Sequence, residues 1–539
     1  MIPGLKKITV PLLGCLAFFL TGLALLPYPG LQNDELFFSG PIYAPDSAFF
    51  KLEVGSWKIP FMVMSYSGAL KTWLYAGLFR FLAADQWSVR LPVLLMGLGT
   101  IWLTWRLVVR LAGNRAAAVT VALLATDTMF LMTDLFDWGP VAIQHLLLLG
   151  GLLAAHLWLT ERSEKWLIAA AACWGLGLWD KALLIWPLAG LGVAALLLYP
   201  KQALAAMRPR TAGVALGVFL LAAAPLVWYN VARPGETARQ NTHLEFSELK
   251  GKVEVLRQTV NASSLYNYMI FRDATDSPRP PRTRLERISV KLAAASGSHY
   301  KNWMLWAWGA GLVLSLTLWG SPHFRVLLFL LVASGVCWVQ MALTKGAGGG
   351  THHTILMWPL PVMFLGIVFS EISGRIPKVG VPVLWVAIGA LCAQNLLTTN
   401  QYLAKFVVNG PGAGWTDAVY RLAETADHKT ASWYGLVDWG YLNGLRLLHE
   451  GDLPMFVTSV PAEGQVLSEA EKQELTRQIS NPDFLFIQHT ADKQMFPGIN
   501  DRLRSAAEGL GYREVVEKTV PDRNGRPVFE LFRFRREGS

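Results

Sequence analysis

Apolar residues in this chain gather into long runs separated by short polar breaks. Runs near 8–27, 88–111, 115–133, 138–159, 166–180, 182–199, 211–231, 302–320, 323–343, 354–370 and 379–398 carry few charges. A bilayer core of ~30 Å takes about 20 apolar residues of helix, so each run predicts a membrane-spanning helix. The first run follows Lys6-Lys7 as a signal peptide would, but no A-x-A site follows it. It reads as an uncleaved first span. Residues 66–83, YSGALKTWLYAGLFRFLA, are apolar but interrupted by Lys71 and Arg80. That pattern predicts an amphipathic helix lying at the interface rather than crossing it. After Asn400 the runs shorten to strand length, as in FLFIQ (484–488) and VFELFRF (528–534), with helical stretches at 415–427 and 468–479. The expected fold is a polytopic α-helical membrane domain of about eleven transmembrane helices over 1–399. A soluble α/β domain follows over 400–539.

Composition agrees. Hydrophobic residues are 53% and charged residues 16% of 539, against roughly 25% charge in soluble chains. Too little charge is available to wet the surfaces of several soluble domains. The 22 tryptophans suit many membrane interfaces. Cys15, Cys173, Cys337 and Cys392 each lie alone in an apolar run, with no metal or redox spacing. The net charge of +10 is uneven: residues 400–539 carry 16 basic and 19 acidic groups, and the rest is strongly basic. A basic membrane part fits anionic lipids or phosphate-bearing substrates. Nucleic acid is not expected, because the excess lies beside apolar spans rather than on a soluble face.

Lys and Arg in short loops set orientation. With the N-terminus inside, the inner loops hold Lys6, Lys7, Arg110, Arg115, Arg162, Lys165, Lys201, Arg208, Arg210, Arg325, Arg375 and Lys378, whereas the short outer loops hold Lys181 and Lys345. The C-terminal domain then lies outside the cytoplasm. Two longer outer loops are expected, 28–87 and 233–301.

Carboxylates at a membrane boundary are costly and point to function. Asp34-Glu35 follows the first span in LQNDELFF, and Asp46 lies a little further on. Asp134 and Asp137 end another run in MTDLFDWGP, and Asp180-Lys181 ends a third in GLGLWDKALLIWP. This topology brings all of them to one outer surface. Helix capping is the ordinary alternative, and for Asp127, within a run, a structural hydrogen bond is expected.

These pieces, in this order, resemble the GT-C superfamily of integral-membrane glycosyltransferases, and most of all its dolichyl-phosphate-mannose protein mannosyltransferase and aminoarabinose transferase branch. The carrying segments are Asp34-Glu35, the aromatic segment ending LFRFL, WSVRLPVLLMGLGT, the acidic loop with Asp134 and Asp137, and GLGLWDKALLIWPLAG. The last departs from the family pattern in having Trp179-Asp180 before Lys181 and Ala182 after it. The resemblance covers about residues 8–400. It implies a polyprenyl-phosphate sugar donor, inverting transfer outside the cytoplasm, and a glycolipid, polysaccharide or protein acceptor. A bacterial inner membrane is the expected location.

The chemistry then asks for a base and a phosphate-stabilising cation. A carboxylate within hydrogen-bond reach takes the acceptor proton; Asp34 is the candidate, with Glu35, Asp134 and Asp137 beside it. A cation near the departing phosphate oxygen stabilises its charge; the candidates are Lys51, Lys58, Lys71 and Lys181. Arg279, Arg282, Arg284 and Arg287 in SPRPPRTRLER are further candidates, in a stretch whose prolines predict a loop. His352 and His353 precede TILMWPLPVMFLG, similar to a polar-then-LPLLP segment of the family, and would bind phosphate or sugar. No cofactor is expected. A divalent metal at His352 and His353, with Asp134 and Asp137 as oxygen ligands, is the alternative, but no HxxxH or DxD spacing supports it. Two other classes compete: a lipid or glycolipid transporter, which should show an internal repeat that is not seen, and a non-catalytic scaffold. In the soluble part, DWGYLNGLRLL (438–448) reads either as a helix packed on a sheet or as an acceptor-recognition element.

Overall fold

The computed structural model describes residues 5–206, 208–273, 275–460 and 468–536. Lys6 and Lys7 lie in the first helix, α1 (Leu5–Leu25), but their side chains fall outside the described ones. The apolar runs read from the sequence fall on helices throughout. Among the described residues four helices are long and apolar enough to cross a bilayer, or six when two bent pairs each count once. The bent pairs are Pro209–Ala222 with Ala224–Ala232, at 74°, and Thr351–Met357 with Leu360–Arg375, at 48°.

The runs at 88–111 and 115–133 join as α3 (Gln86–Thr126), which is broken at Gly113. Gly113 has φ +82°, a conformation open to glycine and strained for other residues. The chain reverses there. Gly22 and Phe18 of α1 pack on Leu94 and Gly97 before the break, and Gly14 packs on Val121 after it. Asp127 then caps α4 (Thr128–Phe136), accepting from the Met129 and Phe130 amides and from Trp358 Nε1. Next come α5 (Ala142–Glu161) and α6 (Glu164–Asp180).

Residues 28–87, expected as the first outer loop, are more structured than their sequence suggests. They hold an antiparallel hairpin, β1 (Phe50–Val54) and β2 (Trp57–Met62). The expected interfacial helix over 66–83 is only α2 (Leu70–Leu78), and it turns Lys71, Thr72 and Tyr75 inward. Residues 66–69 are instead latched to the end of α6: Gly68 N donates to Asp180 O, and Ala182 N to Tyr66 O. In the second outer loop the stretch read as coil becomes helix from Arg284, as α7 (Arg284–Ser296). Thr283 and Glu286 form a capping box there, two residues beyond the last proline.

The last apolar helix, α8 (Gly380–Val408), runs about ten residues past its apolar run, so the C-terminal domain begins beyond 408 rather than at 400. That domain is a five-stranded sheet of β3 (Trp433–Leu436), β4 (Met455–Val457), β5 (Phe484–His489), β6 (Tyr512–Pro521) and β7 (Pro527–Arg536), in the order β4-β3-β5-β7-β6. β3 is parallel to β4 and β5, and β7 is antiparallel to β5 and β6. FLFIQ is apolar without alternation because helices cover both faces. Leu485 and Ile487 meet α9 (Ala418–Thr425) and α10 (Leu442–Leu448), while Phe486 meets α11 (Glu469–Ser480) and α12 (Ile499–Glu508).

The two domains are joined through the first outer loop. Gly30 N donates to Trp415 O at 2.7 Å. Asn443 N and Nδ2 donate to Asn33, and Arg523 pairs with Asp417 while donating to Pro27 O. Leu31, Leu36, Phe38, Tyr75 and Leu447 form one apolar cluster across the joint.

Candidate functional site

Arg90, near the start of α3, shapes the chain that leaves α1. Its guanidinium donates to the carbonyls of Leu26, Pro29 and Gly30 at 2.8–2.9 Å. It also grips Glu35 in a bidentate pair, at 2.7 and 2.8 Å. Arg90 is 0% and Glu35 1% exposed. Both Glu35 oxygens are committed to Arg90, so the pair fixes the backbone of the neighbouring residue. What it positions is Asp34. The Asp34 amide donates to Gln32 Oε1 at 2.6 Å, and its carboxylate has only a long contact, 3.5 Å, with Gln32 Nε2. No cation pairs with Asp34 among the described residues. Burial raises its pKa above the usual carboxylate range, against the Gln32 hydrogen bond. Tyr66 and Tyr268 lie near enough to its charge that their hydroxyls, already raised by burial, are raised further.

Asp137 ends α4 in the left-handed conformation, φ 43°. Its Oδ1 accepts from the amides of Val141 and Ala142, capping α5. Its Oδ2 pairs with Lys71 Nζ at 2.6 Å, and Lys71 lies 4.7 Å from the centre of the Phe38 ring. The inward turn of α2 makes this pair, so two expected site residues meet each other rather than solvent. Asp134 points elsewhere. It is fully buried, with Oδ1 on His145 Nδ1 at 2.9 Å, while His145 Nε2 lies 2.7 Å from Ile355 O. Asp134, through His145, links α5 to the 355 turn. His145 went unread in the sequence, because a single histidine in HLLLLG carries no motif.

Lys181 is the contrasting cation. It is 2% exposed, and its Nζ has no hydrogen-bond or ion-pair partner among the described residues. A Cβ placed on Gly139 would lie 3.3 Å from Lys181 Nζ and 3.8 Å from His352 Cδ2, so these groups share one wall. His352 Nδ1 accepts from Trp138 Nε1 at 3.0 Å, and the His352 and His353 rings are 4.1 Å apart. Trp138 packs against Tyr268 and Trp415, and the Tyr268 hydroxyl lies within reach of the Asp34 charge.

The remaining expected residues lie outside this cluster. Lys51 and Lys58 both pair with the exposed Asp46 beside the hairpin, and their hydrogen bonds to it hold its pKa down to about 2. Arg282 and Arg284 are exposed around the start of α7, and Arg279 is buried against Glu286 at 2.6 Å. These side chains are engaged with carboxylates or solvated, away from the cluster around Asp34 and Lys181. The alternative metal set is not assembled either: Asp134 is on His145 and Asp137 on Lys71, and among the described residues no three such ligands converge.

Comparison with known proteins follows the same lines. Residues 68–229 match the family model described as dolichyl-phosphate-mannose-protein mannosyltransferase. No curated protein matches the chain. The fold superposes on ArnT from Cupriavidus metallidurans bound to undecaprenyl phosphate, with TM-score 0.58 and 13% identity over 98% of each chain. It also superposes on the oligosaccharyltransferase of Archaeoglobus fulgidus, with TM-score 0.51 and 13% identity over 96% of this chain and 72% of that one. The arabinofuranosyltransferase AftD from mycobacteria gives TM-score 0.50 and 16% identity over 97% of this chain and 39% of its own. A family signature across the central segment and a shared fold over nearly the whole length agree: the chain is similar to the GT-C integral-membrane glycosyltransferases.

Proposed function

We propose that the protein transfers a glycosyl group, with inversion, from a polyprenyl-phosphate carrier to an acceptor hydroxyl on the extracytoplasmic side of a bacterial inner membrane. The observation that carries this reading is an unpaired carboxylate, Asp34, and an unpaired buried ammonium, Lys181, joined by the wall of Tyr268, Trp138 and His352. As the bond between the anomeric carbon and the phosphate oxygen breaks, its electrons pass to the phosphate, where Lys181 lowers the cost of the new charge. The acceptor oxygen bonds that carbon from the opposite face and gives its proton to Asp34. Lys71, neutralised by Asp137, shapes the floor of the site. Undecaprenyl phosphate bound to the ArnT relative supports a polyprenyl-phosphate carrier here.

In this reading the eleven apolar helical segments, counting both arms of the Gly113 reversal and each bent pair once, all cross the membrane. The basic inner loops put the N-terminus in the cytoplasm and the sheet domain outside. The deciding experiment incubates purified protein with a radiolabelled polyprenyl-phosphate sugar and extracted cell-envelope glycolipids. Wild type should release polyprenyl phosphate and label an acceptor, and Asp34→Asn should do neither while inserting normally. Sugar carried across liposomes without any transfer would refute the proposal.

A further inference from the structure

A second site lies on the far side of the Asp34 loop, between the first outer loop and the sheet domain. It is a cavity of about 450 Å³, inside the roughly 300–1,000 Å³ range of small-molecule sites. Its floor is the carboxyl end of the parallel strands, where Leu436 ends β3 and Val457 ends β4. The chain passes from β3 to β4 on one side and then crosses to β5 on the other. Such a reversal opens a crevice at the strand ends in which α/β domains bind ligands. Its roof is the first outer loop, from Asn33, the residue next to Asp34, to Ser47. Asn33 is fastened to Asn443 of α10, so cavity and base share one rigid backbone segment.

The wall is mostly apolar, with aromatic surface from Phe37, Trp439 and the half-exposed Phe496. Its acidic group is already saturated. Asp438 accepts from His489 Nδ1 and from the amides of Trp439, Met495 and Phe496. Arg446 is not. Projecting from α10 into the cavity, it makes no side-chain hydrogen bond or ion pair among the described residues. A Cβ on Gly40 would lie 3.5 Å from its Nη1 and 3.2 Å from Ser47 Oγ. Arg90, Arg279, Arg523 and Arg526, all at the same joint or the adjoining outer loops, each pair with a carboxylate. A half-buried guanidinium without a counterion, beside a free hydroxyl, is a receptor for a carboxylate or phosphate.

We infer that this cavity binds an anionic glycosyl group of the acceptor, with Arg446 and Ser47 on its charge and Trp439 and Phe496 against its ring. The inference rests on the transfer reading above and adds the class of acceptor: a sugar bearing phosphate or carboxylate. The anion is the acceptor's rather than the carrier lipid's, because the cavity is walled by the sheet domain, whereas the apolar helices and Lys181 adjoin the other side of the Asp34 loop.

The test uses the full-length protein in detergent and titrates N-acetylglucosamine 1-phosphate and uncharged N-acetylglucosamine, read by calorimetry. The charged sugar should bind at least about tenfold more tightly, as a charge-assisted contact requires. Arg446→Gln should erase the difference and Arg446→Lys should restore part of it. Val457→Trp, which fills the cavity from its exposed rim without removing a contact, should weaken both sugars. Equal binding of the two sugars, no binding of the charged one, or an isotherm unchanged by Arg446→Gln would overturn the inference. Displacement of the charged sugar by undecaprenyl phosphate would overturn it too, by assigning the anion to the carrier. Because the titration contains no donor, its result is independent of whether transfer is observed.

Discussion

Replacing Lys181 with methionine separates a functional lysine from a structural one. The ammonium is 2% exposed and has no partner among the described residues, and Asp137 is already engaged by Lys71 at 2.6 Å. Burying an ion without a counterion costs several kcal/mol, and methionine keeps the apolar stem without the charge. The variant should therefore be as stable as wild type or more so, by about 1–3 kcal/mol. If the ammonium stabilises the departing phosphate oxygen, turnover should fall about 10²- to 10³-fold, some 2.7–4 kcal/mol of transition-state stabilisation. The assay pairs thermal unfolding, followed by tryptophan fluorescence in detergent, with initial rates of polyprenyl phosphate release at saturating donor. A protein that unfolds at lower temperature yet turns over at the wild-type rate would refute the reasoning, since Lys181 would then be a structural contact and the phosphate would be met elsewhere.

Other outcomes test other parts of the site. Asp34→Asn should lower turnover about 10²- to 10⁴-fold. A base must be deprotonated to act, and burial raises the Asp34 pKa; the wild-type rate should thus climb with pH through a value above the usual carboxylate range, and residual activity of the variant should lose that limb. Arg90→Met strands the Glu35 carboxylate and three carbonyls, so folded yield and unfolding temperature should drop sharply, by about 3–5 kcal/mol; near-normal stability would show that water replaces those bonds. Gly30→Ala puts a Cβ 1.9 Å from the Thr416 carbonyl oxygen. It should loosen the sheet domain from the first outer loop, seen as faster proteolysis between residues 409 and 417, and unchanged protection would show that the joint tolerates the shift.

Much of the architecture could be read locally. Each apolar run is helical because a contiguous stretch of Leu, Val, Ala and Phe leaves the backbone to satisfy itself. FLFIQ and VFELFRF are strands because they are short, β-prone and covered on both faces. The S/T-x-x-E signals at Thr283 and Ser468 start helices where they stand. The capping box at Thr283 stands beside three prolines, the last of them three residues before α7 begins. The hairpin at 50–62 was missed because its pairing depends on a turn at Gly55 rather than on strict alternation.

The sequence by itself determined which stretches are apolar helix and that a domain with strands follows the last of them. Which acid is free for chemistry was decided only by tertiary structure. Glu35 meets Arg90 across 55 positions, Asp137 meets Lys71 across 66, and Asp134 meets a histidine on the next helix. Asp34 and Lys181 have met no counterion among the described residues, while Asp180, also without one, accepts from Gln144 Nε2. A residue's type fixes the charge it carries, but whether that charge is spent on a neighbour depends on which distant segments the fold presses against it, and neither spacing nor composition records that.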